Sequence, residues 1–163
     1  MKLNPAAAIE AINKSTDKPW LEDFRTRMIA AEKLDMVTAL DHRLAELNEL
    51  AFRTAIGSPR AGLSLIERVR ESVRIYKEFS TREHFDKRFR VARTNAMIKR
   101  WGEKEALSRT VSNLSMSTGL EQLAKYSRLD CAYEQIILDF PHEFSDGLIA
   151  KARANLARLP RQP

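Results

Sequence analysis

The chain has 163 residues, 44% hydrophobic and 31% charged, a mixture suited to one globular core and incompatible with a wholly disordered chain. Its net charge of +6 is concentrated in the middle: residues 1–57 carry 8 basic and 9 acidic side chains, residues 58–110 carry 14 and 7, and residues 111–163 carry 6 and 6. A single cysteine excludes an internal disulfide, no apolar run approaches the roughly 20 residues that span a bilayer, and MKLNPAAAIEAIN lacks a secretory core, so a reducing, cytoplasmic setting is expected.

Glycine is scarce, and most of the six prolines stand where helices should start or stop. Asn4-Pro5 reads as N-cap and first residue of a helix to about Lys14. Asp17-Lys18-Pro19 repeats the signal, with Trp20, Phe24 and Met28 following on one face of a helix to about Lys33. Asp35 opens a third helix whose Val37, Leu40, Leu44, Leu47 and Ala51 form a heptad-like seam ended by Gly57. So short a seam reads as packing inside a bundle, with pairing to a second copy the lesser alternative. Ser58-Pro59 reads as the start of a fourth helix. Its Leu65, Val69, Ser72, Val73 and Tyr76 share a face, opposite a basic row of Arg70, Arg74 and Lys77 that Glu67 and Glu71 partly neutralise from three positions ahead.

Ser80 with Glu83 fits a capping box that opens the most basic stretch, Ser80 to Trp101, with seven Lys or Arg against two acids and Gly102 as its stop. A helix over Glu103–Asn113, a Ser-rich connection over Ser112–Ser117 and a short helix from Thr118 to about Tyr126 follow. Asp130 is placed to cap CAYEQIILDF; its run Ile136-Ile137-Leu138 would suit a strand alone, but with no second strand nearby a helix is expected. After Pro141, Ser145 and Asp146 start a last helix with Ile149, Ala152, Leu156 and Leu159 as its core stripe. The expected fold is all-α: a single-domain bundle of about eight or nine helices over residues 1–160, the longer ones in the first two thirds, with residues 161–163 a disordered tail.

On a helical wheel of the basic stretch, Phe85, Phe89, Ala92 and Ala96 form the expected core stripe, with Val91 and Ile98 on a second one. Arg82, Arg93 and Arg100 align on a third strip with Arg90 beside it. Guanidinium forks at this spacing suit two-point contacts to phosphate oxygens. The expected nucleic-acid contacts are Arg82, Lys87, Arg88, Arg90, Arg93, Asn95, Lys99, Arg100 and Lys104, with Thr94 as a further hydrogen-bonding group; for Phe79, Phe85, Phe89 and Trp101, stacking on an unpaired base is the lesser alternative to a core role, least remote for Trp101 at the helix end. The plainer alternative for the arginines is pairing with acids of neighbouring helices.

The leading expectation is a nucleic-acid-binding regulatory or accessory protein, DNA favoured. The second is an interaction module whose basic surface meets an acidic protein, or which forms a homodimer through the Val37–Ala51 seam. A helix-turn-helix over Glu105–Tyr126, with Ser117, Thr118 and Gln122 as contacts, is weakened by the lack of a turn glycine and by Lys125 being the second helix's one basic residue. A small-molecule pocket lined by Trp20, Phe24, Tyr126 and Tyr133 suits a helical bundle, but nothing points to a ligand.

No catalytic residue, cofactor or metal is expected. His42, His84, His142 and Cys131 are scattered, and no P-loop, GxGxxG, GxSxG or HExxH is present. Cys131 near a helix start could have a lowered thiol pKa, which Asp130 would oppose; a buried inert thiol is the expected state.

Overall fold

The computed structural model describes residues 4–82, 87–113 and 118–159, and the side chains of 82, 87–90 and 118 lie outside that description. All regular elements among the described residues are helical. They are α1 (Pro5–Lys14), α2 (Lys18–Ala30), α3 (Leu34–Ile56), α4 (Leu65–Arg82), α5 (Lys87–Trp101), α6 (Glu103–Asn113), α7 (Thr118–Lys125), α8 (Tyr133–Asp139) and α9 (Asp146–Ala157), with short 3-10 turns at Leu129–Cys131 and Pro141–Glu143. The all-α class and the clustering of long helices toward the N-terminal side agree with the sequence. The chain gathers into two compact units, Met1–Ala55 and Ile56–Pro163. No helix among the described residues is long and apolar enough to cross a membrane. The tail expected at 161–163 lies outside the described residues.

In the first unit the two Pro-marked starts are in place. Asn4 Oδ1 accepts the Ala6 N–H at 3.1 Å, and Asp17 Oδ1 accepts the Trp20 N–H at 3.1 Å. α2 ends before Lys33 because Glu32 turns into the left-handed region at φ 55°. Ala8, Ile12, Leu21, Phe24, Met36, Leu40 and Leu47 form the core, with Met28, Ala39 and Leu44 packed against it. Leu40 and Leu47 of the expected seam are thus consumed inside the unit. Val37 falls at its margin and Ala51 is exposed. At 23 residues, α3 is about 35 Å long, while α1 and α2, at 10 and 13, reach only about 15–20 Å along it.

In the second unit α4 begins at Leu65 and not after Ser58-Pro59. Gly62, at φ 75°, keeps the preceding residues in a loop. Ser64 supplies the start: its N–H and hydroxyl donate to Glu67 Oε2 at 2.8 and 2.7 Å, and the Glu67 N–H reaches back to Ser64 Oγ at 3.4 Å. These bonds hold the Glu67 carboxyl below its usual range. Glu67 is therefore spent on the cap, and Arg70 pairs instead with Glu103 on α6 at 2.9 Å. Glu71 does neutralise Arg74, at 2.8 Å.

Ser80, expected as a cap, lies within α4. Its hydroxyl donates to the Lys77 carbonyl and that of Thr81 to Glu78, both at 2.8 Å, as hydroxyls inside a helix do. Its expected capping partner Glu83 lies outside the described residues. Of the stretch expected as one helix from Ser80 to Trp101, residues 80–82 belong to α4 and 87–101 to α5, which ends as expected at Gly102, at φ 80°.

The second core gathers Val69, Leu107, Val111, Tyr133, Ile136, Ile137, Leu148 and Ala152. The apolar run of α8 is helical, with Ile136 and Ile137 fully buried. Asp130 does not cap α8, which has no side-chain cap, because its carboxylate is engaged by Arg128. On α9 the buried positions are Leu148, Ala152 and Asn155, while Ile149, Leu156 and Leu159 are half-buried. The Asn155 amide donates to buried Glu134 at 3.3 Å, a polar contact that an apolar-stripe reading has no means to place.

Replacing Ser64 by Ala removes the reciprocal cap and is expected to cost about 1 kcal/mol in urea denaturation. Because Ser64 and Glu67 bond to each other, the double variant with Glu67→Ala should lose less than the sum of the single losses.

Candidate nucleic-acid interface

α5 packs against α4 and α6. Val91, Thr94, Met97 and Ile98 are its half-buried side chains, and Ala92, Arg93, Asn95, Ala96, Lys99 and Arg100 are exposed. The helix is therefore turned relative to the sequence expectation. Ala92 and Ala96, read as core, face outward, whereas the strip of Val91 and Ile98 faces inward. Apolar area decides between the two orientations: Val and Ile bury far more of it than two alanines. The expected partners of those alanines, Phe85 and the side chain of Phe89, lie outside the described residues. Thr94, named as a further hydrogen-bonding group, is half-buried on the side of α5 that meets the buried Tyr133.

The exposed face of α5 carries no acid: residues 87–101 contain six Lys or Arg and no Asp or Glu. Arg93, Lys99 and Arg100 have no ion-pair partner among the described residues. The arginines of the flanking helices differ. Arg68 pairs with Asp139 at 2.7 Å, Arg70 with Glu103, Arg74 with Glu71, and Arg109 with Glu105 at 2.7 Å. Lys104 is also engaged, by Glu143 at 2.9 Å, a contact that holds the Glu143 carboxyl below its usual range. Arg153 on α9 and Arg158 just after it are also exposed and have no ion-pair partner among the described residues; residues 147–159 likewise contain no Asp or Glu, but with three Lys or Arg against the six of 87–101. The side chains of Arg82, Lys87, Arg88 and Arg90 lie outside the described residues, and Arg82 closes α4 and does not belong to α5.

Trp101 ends α5 with 37% of its surface exposed. The guanidinium carbons of Arg100 and Arg109 lie 4.9 and 4.2 Å from its ring centroid, within cation–π range.

A charged centre that sequence reasoning missed lies behind α4. Arg128 is only 1% exposed. Its Nε and Nη2 donate to the two carboxylate oxygens of Asp130 at 2.9 and 3.1 Å. Nη1 donates to the carbonyls of Ile56 and Gly57, and Nη2 reaches Glu71 Oε1 at 3.4 Å and Cys131 Sγ at 2.9 Å. Glu71 is shared with Arg74 and with Arg60 at 3.4 Å. The Arg74 hydrogen bonds outweigh the cost of burial and pull the Glu71 carboxyl down to about 2. Burial, aided by the Asp130 charge, pushes the Cys131 thiol up to about 12, so it is a neutral thiol near pH 7 and the lowered pKa considered from sequence does not arise. The spacings Glu71-x-x-Arg74 and Arg128-x-Asp130 are local enough to be readable, but the meeting of residues 71 and 128 across the fold is not.

Two weaker expectations are only partly described. In the helix-turn-helix reading, residues 114–117 and the Thr118 side chain lie outside the described residues; Leu120 and Leu123 of α7 are fully buried and Gln122 is half-buried. Of the four aromatics considered for a pocket, Trp20 stacks on Phe24 at 5.1 Å in the first unit, and in the second Tyr126 packs on Phe79 at 5.5 Å and Tyr133 on Tyr76 at 5.3 Å.

The Glu71 shift has a definite sign. Its folded pKa of about 2 lies below the usual carboxyl value, so its stabilisation is complete above the unfolded pKa and is lost as pH falls through the folded one. Between about pH 5 and pH 2, unfolding measured against pH should show a loss of about 3 kcal/mol from this group. Glu71→Gln should be less stable than wild type at pH 7 by a similar amount, because Arg128 loses a buried counter-charge, and the two stability curves should converge toward pH 2.

Neither a protein-family model, a curated protein nor a solved structure matches the chain.

Proposed function

We propose that the protein binds nucleic acid, with DNA favoured, through the exposed face of α5, and serves as a regulatory or accessory factor. The observation that carries the reading is the contrast in pairing: Arg68, Arg70 and Arg74 of α4 and Arg109 of α6 are held by carboxylates, whereas Arg93, Lys99 and Arg100 are exposed and have none among the described residues. Unpaired guanidinium groups one above the other on a helix are suited to phosphate oxygens, which they meet as forks. Asn95 adds an amide donor, and Ala92 and Ala96 between the cations leave room for a phosphate backbone to come close. Contacts of this kind position the ligand without reading its sequence, and their strength comes largely from released counterions. Lys104 contributes little, being neutralised by Glu143.

Fluorescence polarisation with labelled oligonucleotides at low salt tests the reading. Wild type should bind, and affinity should fall linearly with salt on logarithmic axes. Arg93→Glu with Arg100→Glu should weaken binding at least about tenfold and flatten the salt slope by about two. Lys104→Glu should have a much smaller effect. Absence of wild-type binding to duplex and single-stranded DNA and RNA would overturn the reading.

A further inference from the structure

We propose that the α5 face takes a single strand, with one unpaired base stacked on Trp101; this rests on the nucleic-acid reading above. Arg93, Met97, Arg100 and Trp101 stand at i, i+4, i+7 and i+8, along one side of α5 over a rise of about 12 Å. Two cations with no ion-pair partner among the described residues therefore lead to an aromatic ring with 37% of its surface open. Such a pairing of a cationic track with an exposed π-surface is how single strands are held without regard to sequence. A duplex stacks its bases internally and offers a surface indole no base face.

The setting of Trp101 supports a platform more than a core residue. Arg109 lies over its ring at 4.2 Å and is itself held by Glu105 at 2.7 Å, so the indole is propped from α6 while remaining partly open. Arg100 lies over the same ring at 4.9 Å; with no ion-pair partner among the described residues to hold it there, its guanidinium can give way to a base and turn to the adjoining phosphate. Trp20 serves as an internal contrast. It is also 37% exposed, but it stacks on Phe24, and the neighbouring Arg27 is paired with Asp23 at 2.9 Å.

The test uses the full chain carrying Trp20→Phe, so that Trp101 is the sole indole. Oligo-dT and a mixed-sequence duplex of equal length are titrated with intrinsic fluorescence and polarisation read together. The expected result is saturable quenching of Trp101 by oligo-dT, with tighter binding than to the duplex. Trp101→Ala should weaken oligo-dT binding roughly tenfold and leave duplex binding unchanged, whereas Trp101→Phe, which keeps an aromatic face and guards against simple misfolding, should retain most of the affinity. Duplex binding as tight as oligo-dT binding, binding of oligo-dT without quenching, or equal oligo-dT affinities for Trp101→Ala and Trp101→Phe would overturn the stacking proposal while leaving nucleic-acid binding intact. Failure of both oligonucleotides to bind would remove both.

Discussion

The second unit depends on a buried cation. Taking the Arg128 guanidinium out of water costs several kcal/mol unless its hydrogen-bonding edges are met. Here Nε, Nη1 and Nη2 all find acceptors: the Asp130 carboxylate, the carbonyls of Ile56 and Gly57, and Glu71. Those acceptors come from three separate stretches of chain, so meeting the desolvation cost requires all three to be in place at once. Lysine, with a single ammonium centre, could not span such acceptors. The cluster thereby joins the start of the unit to the middle of α4 and to the turn before α8.

This centre also shapes the outer surface. Glu71 serves Arg128 inward and Arg74 and Arg60 outward, which ties down arginines that would otherwise extend the positive field along α4. Arg70 and Arg109 are bound by the acids that open α6, Glu103 and Glu105. Among the described residues, Arg68, Arg70, Arg74 and Arg109 are thus paired with acids, whereas Arg93, Lys99 and Arg100 are not. Charge counted along the chain therefore overstates the positive surface around α4 and α6, where ion pairing offsets much of it.

Much of the fold was legible because helix ends are written locally. Asn4-Pro5, Asp17 with Pro19, Gly57 and Gly102 each act within a few residues, and each element boundary they mark was found. The same locality misled at Ser58-Pro59 and Ser80, where a plausible cap competed with a better one at Ser64 or with continued helix. The rotation of α5 was less legible, since two apolar strips were present and only the neighbouring helices decide which is buried. Thr94 is an example: it faces Tyr133, 39 positions away, and no spacing rule connects them. Arg93 and Arg100 were named from spacing, but their lack of an ion-pair partner among the described residues depends on where the acids of α4, α6 and the second 3-10 turn end up.

The outward turn of Ala92 and Ala96 separates two properties that basic helices usually combine. On most such surfaces the long side chains supplying charge also set how near a partner can come. Among the described side chains of α5, two methyl groups lie between Lys99 on one side and Arg93 and Arg100 on the other. Bulk added at position 92 or 96 would lift a partner off the helix without altering net charge or the apolar core. The standoff distance and the field strength of this surface are therefore independently adjustable.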